Sequence, residues 1–186
     1  MQKVFWLGVR HIAEGTDHLL FLLALLLSAA RTSLWNIVKA VSGFTLGHSL
    51  TLAIGAFGLV SVPSRWVEIL IALSIIVVCA ENLLRQNAPA DRFWLAGGFG
   101  LIHGFGFAGA LRETGLGESG ASVAVPLASF NLGVEAGQLI VVAIVLPLLF
   151  LMRRWRVFEL HGARAISIAV IAVSGYWFLQ RTLWFR

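Results

Sequence analysis

The stretch SVAVPLASFNLGVEAGQLIVVAIVLPLLFL, residues 122–151, carries one charged side chain, Glu135, in a run of otherwise apolar, small or neutral residues. A segment of about 20 mainly apolar residues crosses the hydrocarbon core of a bilayer, so this stretch reads as a transmembrane helix. The same reading extends to windows near 4–30, 37–60, 64–85, 92–112 and 163–180, with only short connections between them. Hydrophobic residues make up 59% of the chain and charged residues 12%, against roughly 25% charged in soluble domains. The expectation is an all-α integral membrane protein of about six helices forming a single domain over residues 1–186, with no soluble module.

Trp6, Trp35, Trp66, Trp94, Trp155, Trp177 and Trp184 fall at or just outside the ends of these windows, the level at which indole rings settle between headgroups and acyl chains. The first window is the least regular. Asp17 is placed to cap a helix from His18, and Leu19–Ala30 alone is too short to cross, so Val4–Ala13 must contribute, as one helix or as a helix broken near Gly15. A cleaved signal peptide fits poorly, because the apolar run follows a His/Glu/Asp cluster.

Basic residues set the orientation. A small majority of the 14 lie in the first, third and fifth connections, including Arg31, Lys39, Arg85, Arg92 and the cluster Arg153, Arg154, Arg156. Lys3, Arg10, Arg65, Arg112, Arg181 and Arg186 lie on the other side. The positive-inside rule then puts that cluster in the cytoplasm and both termini outside. Topology and anionic lipid account for the net charge of +5, so no nucleic-acid partner is expected. The partners are the lipid bilayer and an ion, and a homo-oligomer stays open. Cys79 stands alone, which leaves no disulfide framework and no CxxC metal site. Met1 and Met152 are the only methionines, too few for a Cu(I) pathway.

Ionisable residues inside a span are costly and face the bundle interior, so each is a functional candidate. His11, Glu14, Asp17 and His18 form one stripe of the first helix, by steps of three and four. Asp17, His18, His48, His103 and Glu135 all lie within roughly 5 Å of the midpoint of their spans, at about 1.5 Å per residue. They are the expected metal ligands. His11 and Glu14 on the outer side, Glu81, Asn82 and Gln138 on the inner side, and Asn131 read as path or second-layer residues. Phe44-Thr-Leu-Gly-His48-Ser-Leu-Thr-Leu-Ala53 matches Phe99-Gly-Leu-Ile-His103-Gly-Phe-Gly-Phe-Ala108 as F-x-L-x-H-x-[LF]-x-[LF]-A. Each is followed one helix later by an intramembrane glutamate, Glu81 or Glu135. Helices 2–3 and 4–5 therefore look like a parallel repeat, and transporters place sites at such interfaces. Glycines around His103 suit close helix packing. Glu68 reads as interfacial, His161 and Glu159 as solvated loop, and the last helix as scaffold.

The run His11-Ile-Ala-Glu-Gly-Thr-Asp17-His18 resembles the first-helix signature H-P-x-x-G-x-D-H of the HupE/UreJ family. The run Phe130-Asn-Leu-Gly-Val-Glu135-Ala-Gly-Gln138 resembles its second signature, F-H-x-x-A-V-E-Q. The resemblance covers most of the chain and implies a bacterial inner-membrane permease for nickel or cobalt. It carries over to Asp17, His18 and Glu135. Ile12 replaces the signature proline and Asn131 the signature histidine, which weakens the preference for a nitrogen-loving ion.

Imidazole and carboxylate donors suit Ni²⁺, Co²⁺ or Zn²⁺ as substrate or bound ion. A permease is the leading reading. An intramembrane zinc-type hydrolase would use the same residues around a fixed metal with an open position. A haem or redox subunit would use His48 and His103 as axial ligands. With no G-x-x-x-x-G-K-[ST] motif in the chain, ATP coupling would need another subunit.

Overall fold

The computed structural model describes residues 1–29, 33–84, 92–113 and 124–183, without the side chains of 28–29 and 108–113. Arg31, Arg85, Trp184, Arg186 and the side chain of Arg112 lie outside the described residues. All regular structure among the described residues is helical: α1 Gln2–Glu14, α2 Thr16–Ala29, α3 Leu34–Ala56, α4 Ser64–Leu84, α5 Phe93–Glu113, α6 Ala124–Met152, and α7 Ala163–Leu183 behind a π-helical turn, Phe158–Gly162. Four of these segments are long and apolar enough to cross a membrane: Leu34–Ala56, Ser64–Leu84, Ala124–Met152 and Phe158–Leu183. Thr16–Leu27 and Phe93–Phe107 are shorter apolar helices.

The first window resolves into two helices. Gly15 leaves the helix in an extended conformation (φ −74°, ψ 90°) while its N–H still bonds the His11 carbonyl. A Cβ at Gly15 would lie 2.7 Å from the His11 carbonyl oxygen and 2.8 Å from Nδ1 of His18. Only glycine lets the chain turn this close to the His18 ring. Helix α2 starts at Thr16, so Asp17 sits inside its first turn instead of capping it, and Asp17 Oδ1 accepts the His18 N–H at 2.9 Å. A carboxylate there also meets the positive end of the helix dipole.

Three helix pairs organise the bundle: α3 with α5, α1 with α6, and α4 with α7. The first two are glycine contacts. A Cβ on Gly47 or Gly100 would run into the backbone carbonyl of Gly97 or Phe44, and Gly8 and Gly133 stand in the same relation to α6 and α1. In both pairs the contact positions climb together (43 with 97, 47 with 101; 5 with 133, 12 with 137), so the helices run parallel. Small residues are what allow such backbone approach in a membrane. The α4–α7 pair is antiparallel and clasped at one end, where Arg181 pairs with Glu68 at 3.2 Å and Arg65 donates to the Arg181 and Thr182 carbonyls.

Side chains that face outward are overwhelmingly apolar, among them Leu46, Leu50, Leu70, Val77, Leu132, Ile144 and Leu148. Trp35, Trp66 and Trp94 are exposed in the first turns of their helices, and Trp155 in the connection before the π turn. Trp177 lies further inside α7, beneath the Arg181 guanidinium. Arg92, counted from the sequence among the basic residues of the third connection, turns inward. It is 4% exposed, pairs with Glu81 at 3.2 Å and reaches Asn82, whose amide donates to the Ala24 carbonyl at 2.7 Å. In low dielectric a cation at a helix start persists only with such partners.

Replacing Gly47 by alanine should destabilise the bundle by about 1–3 kcal/mol, because the added methyl has no space between α3 and α5. Gly98→Ala, where nothing lies within 4 Å, should leave stability unchanged. Thermal unfolding of the two variants in the same detergent compares them directly, and equal melting temperatures would refute the packing argument.

Candidate metal centre

Two apolar layers bracket the interior. Ile12, Leu52, Leu127, Phe130 and Val134 form one. A larger cluster around Phe21, Leu25, Phe44, Ile75 and Val142 forms the other. Between them lie four imidazoles from four helices: His11 in the last turn of α1, His18 in the first turn of α2, His48 in α3 and His103 in α5. His48 and His103 are 0% and 1% exposed. Ring centroids are 4.6 Å apart for His11–His18, 5.0 Å for His18–His103, 5.8 Å for His11–His48 and 6.0 Å for His18–His48.

Two donor sets emerge from this packing. His11, His18 and His48 offer ligand atoms all within 4.8 Å of one another, and so do Asp17, His18 and His103. His18 belongs to both. His11 packs on the stacked rings of Phe107 and Phe130, on the side of the smaller apolar layer. His103 packs on Phe21 and Phe44, on the side of the larger one. The two sets therefore lie at successive levels, with His18 between the layers.

Hydrogen bonding leaves nitrogen lone pairs to spare. Asp17 Oδ1 lies 3.0 Å from His18 Nδ1. An ionised carboxylate can only accept, so Nδ1 carries the proton and Nε2 is the free lone pair. His18 Nε2, His11 Nε2, His103 Nδ1 and both ring nitrogens of His48 meet no well-formed hydrogen bond among the described residues, although the Asn131 amide lies alongside His48. Buried polar atoms are ordinarily paired, and an unpaired group costs about 1–3 kcal/mol. Several orphaned nitrogens in one layer are donors of the kind a borderline divalent ion could take.

The sequence-level candidates are thus redistributed. His11, expected on an outer path, joins the donor layer together with Asp17, His18, His48 and His103. Glu135, expected beside them, is outside both donor sets and accepts a 2.7 Å bond from Ser42 of α3. Gln138 accepts from Thr45 at 2.9 Å one turn along. Asn131 lines the donor layer next to His48. Glu81 and Asn82 belong to the Arg92 cluster, and Glu14 pairs on an exposed face with Arg10 at 2.7 Å. Ser42 and Ser74, which contacts His103 at 3.2 Å, carry no motif. Their one signal is a hydroxyl set in an apolar run.

An all-helical bundle of apolar helices closing over a layer of unpaired imidazoles defines the class: a multi-pass membrane protein whose interior gathers His and Asp groups that could hold a metal ion. The chain belongs to the HupE / UreJ protein family, whose model matches residues 1–181. No curated protein and no solved structure matches it.

Because His18 serves both donor sets, His18→Ala should weaken Co²⁺ binding more than His48→Ala or His103→Ala, and by more than about 100-fold, above the range typical for losing an outer-shell partner. Titrating the purified variants with Co²⁺ and following its visible absorption measures this. Equal losses at all three positions would contradict the shared role of His18.

Proposed function

We propose that the protein is a transition-metal permease for a divalent ion of the nickel or cobalt type, crossing a bacterial inner membrane six times with both termini outside. Membership of the HupE/UreJ family supports the substrate class. The observation that carries the mechanism is the pair of donor sets sharing His18. A catalytic metal needs three fixed ligands and one open position. Conduction needs neighbouring sites, each strong enough to replace water and weak enough to release the ion. Two overlapping sets at successive depths fit the second requirement.

The break at Gly15 supports the same reading. Discontinuous helices near the midplane are a recurrent way to build transport sites, with the carbonyl end of a half-helix turned to a cation. His11 sits at that end of α1. From it the ion passes to His18 and His48, then to Asp17 and His103. Glu135 and Gln138, with Ser42 and Thr45, provide the next oxygens along α3 and α6, and Glu81 and Asn82 the last before the cytoplasm. Glu14 draws the ion in from outside. The six passes comprise the α1–α2 unit and α3 to α7, with α3–α4 and α5–α6 as the parallel repeat. A haem between His48 and His103 is disfavoured, because α3 and α5 touch through their backbones there and His18 packs against both rings.

Proteoliposomes loaded with a metal-sensitive dye test the proposal. Wild-type protein should admit Ni²⁺ or Co²⁺ under an inside-negative potential, and His18→Ala should abolish the flux. Glu135→Gln should slow it several-fold while the purified variant still binds Co²⁺ in its donor layer. Wild-type protein that holds metal yet passes none under any voltage or pH gradient would defeat the permease and favour an intramembrane metalloenzyme.

A further inference from the structure

Ser74 of α4 lies at the centre of an apolar run, 2% exposed, against the outer edge of His103. Its Oγ is 2.7 Å from the Ile71 carbonyl oxygen and 3.2 Å from His103 Nε2. A hydroxyl has one proton and can accept as well. A carbonyl oxygen has none, so the short contact to Ile71 requires the Ser74 proton to point there. The remaining contact then works only if His103 Nε2 carries a proton and donates it to Ser74 Oγ. The opposite arrangement, with Ser74 donating to His103, would leave two buried oxygens 2.7 Å apart with no proton between them.

We propose that Ser74 is a positioning residue which holds His103 as the Nε2–H tautomer and so presents Nδ1 as the lone pair to the ion. The proposal rests on the permease reading for its purpose and on the hydrogen-bond geometry for its substance. Nδ1 of His103 meets no partner among the described residues, and the ring packs against His18. The same division holds at His18, whose Nδ1–H donates to Asp17 Oδ1. Two imidazoles from different helices are thus each fixed at one nitrogen by a protein acceptor. The other nitrogen is left bare. Partners of this kind set the tautomer and ring orientation of metal-ligating histidines, and losing one typically costs 10–100-fold in affinity.

The test uses metal-free full-length protein in nanodiscs, labelled with ¹⁵N at histidine. Ring nitrogen–proton correlations distinguish the tautomers, and the signal lost in His103→Gln assigns His103. Wild-type protein should show His103 with its proton on Nε2. Ser74→Ala, a near-isosteric change, should shift His103 to the other tautomer or to a mixture and weaken Co²⁺ binding by about 10–100-fold. Ser74→Thr, which restores the hydroxyl, should recover both. A wild-type His103 protonated on Nδ1 would overturn the assignment, and so would a Ser74→Ala protein with unchanged Co²⁺ affinity. Wild-type protein that shows the Nε2–H pattern but binds no Co²⁺ would refute the permease and leave the tautomer assignment standing.

Discussion

Close backbone contact between α3 and α5 sets the depth of everything else in the bundle. Lipid tails offer no hydrophobic drive for one helix to seek another, so association depends on dispersion contact and hydrogen bonding. Glycine at 43, 47, 97, 100 and 104 removes the side chains that would hold the two helices apart. Their parallel course then puts His48 and His103 on the same level, with Phe44 packed against both rings. The α1–α6 pair repeats the device with Gly8, Gly133 and Gly137, and it brings His11 against Phe130. Side chains that touch across such pairs gain dispersion energy over their whole length, and the histidines share that fixed frame.

Polar groups elsewhere in the interior show what the frame demands. Ser49 and Thr51 return their hydroxyls to carbonyls of their own helix, Thr45 donates to Gln138, Asn82 bonds Ala24, and Arg92 is held by Glu81 and Asn82. An unpartnered polar group in hydrocarbon costs several kcal/mol, so interior groups find internal partners. Among the described residues this economy fails at the hydroxyls of Ser167 and Ser174 in α7 and, in greater concentration, on nitrogens of all four rings of the imidazole layer. Function is the usual reason a native structure tolerates such a concentration of unpaired donors and acceptors.

Much of this was legible in the sequence. The apolar windows marked out the helices because length and hydropathy alone decide whether a segment can cross, and Gly15 announced a break because Leu19–Ala30 was too short. Asp17, His18, His48 and His103 followed from their depth along each helix. Depth says nothing about azimuth, however. Glu135 shares the level of the histidines, yet the rotation of α6 turns it to Ser42. His11 was read as a residue of the outer path because the first window was measured as one straight rise. The kink after Glu14 returns its ring to His18. Arg92 looked like a loop cation since its partners, Glu81 and Asn82, lie across a turn that hydropathy does not see. Ser74 gave no signal at all, for a single hydroxyl in a membrane helix most often bonds its own backbone. Ser74 does that as well, through Ile71.

The bracketing apolar layers bear on how an ion could move. Ile12, Leu52 and Phe130 flank the donor layer on one side and Phe21, Phe44 and Ile75 on the other. Hydrophobic constrictions gate by excluding water, so in the proposed permease an ion would gain access by one layer parting while the other holds. The Phe107–Phe130 stack is the thinner of the two, two rings on α5 and α6 set against His11. The opposite layer is a broad cluster drawn from α2 to α7. Alternating access by rocking one helix group against another would have its natural hinge at Gly15, where α1 and α2 meet. A rotation of the α1–α6 pair about that point would carry His11 and the Phe130 ring away from the layer together. His18, held by Asp17 beyond the hinge, would stay with His103. The donor set an ion meets first would then open, and the second would remain assembled.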